Sequence, residues 1–160
     1  MADPTHDLSD LLQQAFRYAL ALSHNRAVAE ELVQDACVGI ARRGGPWERG
    51  YLLASVRNRF IDRCRRNGLL KFEPLVDQDV AGPAETPAID AALDASLETA
   101  LGRLKSGERE MLYLAAVEEY TMSEIAELTG RPVGTVLSGI HRAKQKLREW
   151  LTPQRQRSSV

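Results

Sequence analysis

The sequence has little of several features that mark particular protein classes. Only 6% of its 160 residues are aromatic, which fits small helical units better than a large sandwich core. Its apolar runs are short and interrupted, so we predict no insertion into a membrane. The acidic N-terminus lacks the basic and apolar segments of a signal peptide. Together these absences predict a cytoplasmic protein.

Clusters of catalytic or metal-binding residues are also scarce. The two cysteines, Cys37 and Cys64, are too far apart for a zinc motif. We expect buried, reduced thiols, with a redox pair as the alternative. His6, His24 and His141 share no metal-ligand spacing, and the chain has no Gly-rich phosphate loop and no Ser–His or Cys–His arrangement. The sequence therefore predicts no catalytic residue, no metal and no cofactor.

The charges are segregated along the chain, although the formal net charge is only −1. Residues 40–71 carry nine Lys and Arg against two acids, and residues 131–160 carry seven against one. Between them, residues 72–101 carry seven acids and no base. Basic surfaces attract phosphate, so two of them suggest two contacts along one DNA duplex. The alternative is that Arg-rich helices simply keep the protein soluble.

Hydrophobic residues recur at helical spacing, and no strand pattern of any length appears. We predict an all-α chain of two small helical domains, a three-helix unit and a four-helix unit, joined by an acidic flexible linker. The alternative is that this linker is an irregular loop packed on a single domain. The predicted boundaries are 1–67 for the N-terminal domain, 68–89 for the linker, 90–152 for the C-terminal domain and 153–160 for a basic tail.

The segment from Thr121 to Leu151 has the pattern of a helix-turn-helix. Thr121 and Glu124 have the Thr-x-x-Glu spacing of a capping box. Gly130 supplies the turn, because glycine adopts a left-handed conformation at little cost. Pro132 suits the first turn of the next helix, where its missing N–H is not needed.

The second helix of this motif has two contrasting faces. The apolar stripe consists of Val133, Val136, Ile140, Ala143 and Leu147. The opposite surface carries small polar residues first and cations further along, which suits a helix entering the major groove. The predicted DNA contacts are Thr135, Ser138, His141, Arg142, Gln145 and Lys146. The alternative is an ordinary αα-hairpin with a solvated basic face.

Two of the three predicted N-terminal helices differ sharply in charge. The second follows a plausible cap, Asn25, and its polar face carries Glu30, Glu31, Gln34 and Asp35. The third runs from about residue 48 to 67 and is rich in Arg. Between them, the sequence Arg-Gly-Gly-Pro-Trp at 43–47 has turn chemistry.

Three segments carry a family pattern. They are AEELVQDACVGIARR at 29–43, YLLASVRNRFIDRCRRN at 51–67, and the stretch 101–151, in which Pro-Val-Gly-Thr-Val is followed by His-Arg-Ala-Lys. The chain resembles an RNA polymerase sigma factor of the extracytoplasmic-function (ECF) group. The first two segments are similar to the second and the promoter-contacting helices of sigma region 2, and the third is similar to region 4.

The resemblance implies a protein that binds core RNA polymerase, recognises the minus-ten and minus-thirty-five promoter elements and initiates transcription of stress- or signal-responsive genes. Glu31, Gln34 and Asp35 would dock on the polymerase clamp helices, and the flap would be a further contact. The recognition helix would contact the minus-thirty-five element. An anti-sigma factor is an implied partner.

The resemblance also assigns the minus-ten contacts. They are Trp47, Arg57, Asn58, Arg65 and Arg66. The loop at 44–47 would accept a flipped base, for which an aromatic wall and permissive glycines are suitable. The alternative for Trp47 is a simple core anchor.

The chain departs from the family pattern at a few positions. Relatives often have basic residues at the positions of Leu137 and Gly139, so we expect fewer phosphate contacts there. We also expect Gly139 to cost about 1 kcal/mol of helix stability relative to Ala. Tyr51 stands where many relatives have Trp.

Two other functions remain open from the sequence. A stand-alone helix-turn-helix regulator accounts for 121–151 but leaves the Arg-rich third helix unexplained. A sigma mimic that binds an anti-sigma factor would not need its basic faces.

Overall fold

The computed structural model of the protein describes residues 4–68 and 92–152, and most of these residues are in helices. Within these ranges there are seven helices and no strand. The helices are α1 (Pro4–Ser23), α2 (Arg26–Arg43), α3 (Arg49–Arg66), α4 (Ala92–Arg103), α5 (Ser106–Ala116), α6 (Met122–Thr129) and α7 (Val133–Leu151). The all-α prediction is confirmed. The predicted tail and, apart from Gly68, the predicted linker lie outside the described residues.

The helix ends follow local chemistry. The side chain of Asn25 accepts a hydrogen bond from the Val28 amide at 3.0 Å, which confirms the predicted cap of α2. The hydroxyl of Thr121 accepts from the Glu124 amide at 3.1 Å. It also donates to the Glu124 carboxylate at 3.0 Å, so the two side chains pair with each other. Gly130 has a φ of 68° and ends α6 as predicted.

The N-terminal helices form a three-helix unit around small and aliphatic side chains. α1 packs on both α2 and α3, and these two pack on each other. Its buried core comprises Ala15, Tyr18, Ala19, Leu22, Ala29, Leu32, Ala36, Ile40, Leu52, Leu53 and Val56. Burying each large aliphatic side chain contributes roughly 1.5–3 kcal/mol. This burial fixes which faces of α2 and α3 remain exposed.

The C-terminal helices α4–α7 form the predicted four-helix unit. α7 packs on α4, α5 and α6. Its Val136, Ile140 and Ala143 are buried as the stripe predicts, but Val133 at the start of the helix is 42% exposed. Pro132 precedes α7 as its N-cap and is not a residue of its first turn.

The two units pack against each other through α1 and α5. The ring of Tyr18 on α1 stacks on Tyr113 of α5, with ring centroids 6.1 Å apart. Within the described ranges, none of the helices combines the length and apolar character needed to cross a membrane.

Gly139 has a packing role that the sequence did not suggest. It is buried in α7 and faces α5. A Cβ at this position would clash with Met111 Cε and would lie 3.1 Å from Met111 Sδ. Gly139 therefore points into the protein. The expectation that this chain makes fewer phosphate contacts at this position stays a prediction. Leu137, by contrast, is 53% exposed.

We expect Gly139→Ala to leave the free energy of unfolding no higher than that of the wild type. Movement of the flexible end of the buried Met111 offsets the gain of about 1 kcal/mol that Ala brings to a helix. Gly134→Ala is the matched control, since no atom lies within 4 Å of its would-be Cβ. The control should be neutral or stabilising by up to about 1 kcal/mol. Urea unfolding measures both. An equal gain in stability from the two substitutions would contradict the close approach of α5 and α7.

Candidate nucleic-acid interface

The exposed face of α7 contains most of the predicted recognition residues. Ser138, His141, Arg142 and Gln145 are exposed, and Thr135 is half-buried. The hydroxyl of Ser138 donates to the Gly134 carbonyl at 2.9 Å, which leaves its oxygen free to accept. This face offers hydroxyl, imidazole, guanidinium and amide groups along one side of a helix, the groups that contact base edges.

Lys146 differs from the other predicted contacts. It is half-buried, and its Nζ donates to Glu108 Oε1 on α5 at 2.8 Å. The Glu108 side chain is only 4% exposed. Lys146 therefore lies towards α5, at the edge of the exposed face, and its charge is already matched within the protein.

The predicted minus-ten residues are divided by burial. Asn58, Arg65 and Arg66 are exposed along α3. The Arg57 side chain is only 12% exposed, and its Nε donates to Glu110 Oε1 on α5 at 2.7 Å. In this arrangement Arg57 is a contact between the two domains and is not accessible to DNA.

The loop between α2 and α3 leaves its aromatic residue exposed. Gly44 and Gly45 have φ values of 80° and 105°, conformations that glycine favours. The ring of Trp47 is 44% exposed, which disfavours the core-anchor alternative. An exposed ring beside a glycine turn is available for a base to stack on.

The polar face of α2 is exposed and includes an apolar residue that the sequence analysis missed. Glu31, Gln34 and Asp35 are all exposed, and Glu31 accepts from Arg63 at 2.9 Å. Val38, one turn beyond Gln34, is 48% exposed. Its signal in the sequence was its place outside the buried stripe of α2. An exposed apolar side chain beside polar groups can add an apolar contact to a polar protein interface.

The first turns of α5 bury three consecutive charged residues, which the sequence analysis also missed. Glu108, Arg109 and Glu110 are 3%, 6% and 2% exposed. Arg109 donates to the carbonyls of Ala21 and Leu22 at the end of α1 and of Leu101 and Leu104 at the end of α4. A cation at two helix C-termini donates hydrogen bonds to carbonyls that have no partner within the helices. It also interacts favourably with the negative ends of both helix dipoles.

Glu110 is the most heavily bonded of these charges. It accepts from the Tyr18 hydroxyl on α1 at 2.5 Å and from Arg57 on α3 at 2.7 Å. Its second oxygen accepts from Arg131, in the turn between α6 and α7, at 3.3 Å. One buried carboxylate therefore joins both domains.

The titration behaviour of these groups follows from their surroundings. Burial, reinforced by the Glu110 charge, raises the pKa of Tyr18 well above its usual value. For Arg57, burial is the largest single effect and lowers the pKa, but Glu110 and Tyr18 together outweigh it and the pKa is raised. Burial lowers the pKa of Arg109 to about 10. At neutral pH, Arg57 and Arg109 are therefore cations and Tyr18 keeps its proton.

Metal-binding clusters are absent from the described ranges: no group of three or more His, Cys, Asp or Glu side chains lies close enough to hold an ion. The thiol of Cys64 is buried, and burial raises its pKa to about 11. Cys37 is half-buried, and burial raises its pKa as well. Both cysteines are free thiols.

Two family models match the chain, Sigma-70 region 2 over residues 7–69 and Sigma-70 region 4 over residues 94–147. The ECF RNA polymerase sigma factor SigL of Mycobacterium tuberculosis is 30% identical over 144 residues, which cover 83% of this chain and 80% of SigL. The RNA polymerase sigma factor CarQ of Myxococcus xanthus is 31% identical, over 79% of this chain and 76% of CarQ. The chain belongs to the ECF sigma factors.

Two further similarities have narrower meaning. The ECF sigma factor SigE of Mycolicibacterium smegmatis is 34% identical over 148 residues, but the chain spans only 57% of its length. A structure of the sigma factor RpoE with the anti-sigma factor NepR from Bartonella quintana matches with a TM-score of 0.69. It covers 94% of this chain and 98% of that chain at 24% identity, which supports the fold.

In this ECF sigma factor, Lys146 was predicted to contact DNA but pairs with Glu108 inside the protein. We expect Lys146→Ala to lower the free energy of unfolding by about 1–3 kcal/mol, because it leaves Glu108 buried and unpaired. Lys144→Ala is the control, since Lys144 is exposed on the same helix and should cost no more than about 0.5 kcal/mol. Thermal or urea unfolding measures the difference. If both variants are as stable as the wild type, the Lys146–Glu108 pair does not support α7.

Proposed function

We propose that this protein binds core RNA polymerase and directs it to promoters, as a sigma factor for stress- or signal-responsive genes. The observation that carries the proposal is the pair of exposed polar and basic helix faces, one on α3 in the region 2 domain and one on α7 in the region 4 domain. Two such faces on linked domains suit two separated elements of one duplex.

We assign the minus-thirty-five element to α7. His141 and Arg142 lie one turn beyond Ser138 on the exposed face, where an Arg fork suits the O6 and N7 atoms of guanine. Arg148 lies further along and is also exposed, which suits a phosphate contact. Lys146 is a weaker candidate for a phosphate contact than Arg148, because its ammonium group donates to Glu108 at 2.8 Å.

We assign the minus-ten element to α3 and the loop before it. Asn58, Arg65 and Arg66 present exposed donors, and Trp47 offers a stacking surface for an unstacked base. Arg57 joins these contacts only after it separates from Glu110.

We assign core binding to the exposed face of α2. Gln34 and Asp35 supply polar contacts for the polymerase clamp helices. Val38, one turn further along α2, supplies an apolar contact for them. The region 4 domain would meet the flap. A protein that works on RNA polymerase acts in the cytoplasm, and an anti-sigma factor is a further proposed partner.

Transcription with purified core enzyme tests the proposal. Core plus this protein should initiate at specific promoters of a genomic library, whereas core alone should not. Arg142→Ala should cost roughly 1–3 kcal/mol at promoters with one particular base pair in the minus-thirty-five element and little elsewhere. No initiation above core alone on any promoter would exclude the sigma function.

Arg148→Ala is the comparison variant for this experiment. Loss of a phosphate contact should weaken all promoters alike and should reduce the dependence of binding on salt. If Arg142→Ala weakens every promoter equally and Arg148→Ala changes base preference, the two roles are reversed. Strong promoter binding by the protein without core would favour a stand-alone regulator.

Charge reversal on α2 tests the core contact. Asp35→Arg should weaken core binding without loss of folding, because exposed substitutions usually cost within about 0.5 kcal/mol. Val38→Ser should weaken binding too if the apolar side chain lies in the contact. Asp7→Arg, on the exposed start of α1, controls for net charge. A folded Asp35→Arg protein with unchanged core affinity would place the contact elsewhere.

A further inference from the structure

Arg57 belongs to the N-terminal domain, and the C-terminal domain shields it from solvent. Among the predicted minus-ten contacts, Trp47, Asn58, Arg65 and Arg66 are exposed. Arg57 instead lies against α5, with its guanidinium on the Glu110 carboxylate. The Arg57 side chain is only 12% exposed in this position, so a contact with DNA phosphate requires it to move away from Glu110.

We propose that the two domains form a closed state in which Glu110 competes with DNA for Arg57. Closure sequesters Arg57, and opening of the α1–α5 interface releases it for the minus-ten element. The part of this proposal in which Arg57 binds DNA rests on the proposed function. The closed state itself stands on the contacts between the domains.

The contacts of Glu110 explain why it can serve both states. Arg131 belongs to the same domain as Glu110, so this ion pair persists when the domains separate. The bonds from Tyr18 and Arg57 cross the interface and are lost. Opening therefore leaves Glu110 paired with one cation and does not strand a buried charge, which would be costly.

The remainder of the interface combines polar and apolar contacts. Among its other polar contacts in the described part of the chain are the Arg109 bonds to α1 carbonyls and the approach of His24 to Glu98 at 4.0 Å. Arg49 also lies 3.6 Å from Glu118 and 4.6 Å from the centre of the Tyr120 ring.

A half-open pocket of about 460 Å³ lies between α1, α4, α5 and α7, so the domains leave space between them there. The interface also contains apolar contacts, because the buried core runs without a break from Tyr18 on α1 to Leu114 on α5. Interfaces within one chain that combine polar and apolar contacts permit relative motion of the domains.

DNA is a suitable competitor for Glu110. A phosphate accepts the same charge-assisted hydrogen bonds from a guanidinium as a carboxylate does. The exposed cations Arg65 and Arg66 on the same helix hold DNA nearby and raise the local phosphate concentration. Binding to the open state alone then shifts the population towards it.

Arginine modification by phenylglyoxal, read by mass spectrometry on the full chain, tests the closed state. Arg65 and Arg66 are exposed references on the same helix. In the wild type, Arg57 should react at least about tenfold more slowly than these references, because its reaction requires opening. Reaction of Arg57 at the rate of Arg65 would overturn the closed state.

Tyr18→Phe removes one bond across the interface and keeps the ring that packs in the core. It should raise the rate at Arg57 by about tenfold, as expected for loss of a hydrogen bond to a charged group. Tyr113→Phe is the matched control. It removes a phenol–carboxylate bond of 2.7 Å to Glu118 within one domain. The ring that stacks on Tyr18 and the Glu118 carboxylate near Arg49 both remain, so Arg57 should stay protected.

Glu110→Gln provides a second variant in case Tyr18→Phe does not fold. The amide keeps the shape but removes the charge that holds Arg57, so the rate at Arg57 should rise here as well. If Arg57 stays protected in whichever of the two variants is folded, Glu110 is not the contact that closes the interface.

The DNA half of the competition needs its own measurement. Promoter binding by Tyr18→Phe in the absence of core should exceed that of wild type, whereas Tyr113→Phe should match wild type. Unchanged binding by a Tyr18→Phe protein with reactive Arg57 would overturn the competition with DNA and leave the closed state standing. Slow reaction of Arg57 with phenylglyoxal would support the closed state even if the protein gave no transcription with core RNA polymerase. That combination would count against the sigma function and not against the closed state.

Discussion

The burial of the Glu110 carboxylate is the constraint on which the arrangement of this protein depends. A buried carboxylate is stable only when cations and hydrogen-bond donors surround it. Here the donors come from α1, α3 and the turn of the helix-turn-helix. Its neighbour Arg109 collects the carbonyls at the ends of α1 and α4. Two adjacent residues thereby set the position of both domains around α5.

The sequence predicted the local features of the fold well, because their causes are local. Apolar periodicity located the helices, since each must bury one face. The caps at Asn25 and Thr121 and the left-handed Gly130 depend only on residues within one turn. The face of α7 that carries Ser138 and Arg142 was likewise predictable, because it lies opposite the buried Val136.

The contacts between helices could not be predicted in this way. The run Ser-Gly-Glu-Arg-Glu at the start of α5 has the composition of a surface, and charged residues are rarely buried. Only the packing of α1 and α7 around this run buries it. The same packing decides that Lys146 pairs with Glu108 and that Arg57 meets Glu110. For Gly139, the sequence did offer one indication, because a glycine within a helix often marks a place where another helix packs closely.

The two sides of α7 are linked by this arrangement. One side presents recognition residues to solvent, and the other is held against α5 through Gly139 and Lys146. α5 in turn holds Arg57 of the other domain through Glu110. The helix that we assign to one promoter element and the side chain that we assign to the other therefore share a single support. A displacement of α5 relative to α1 frees Arg57 but leaves α7 in place, because the contacts of α7 lie within its own domain.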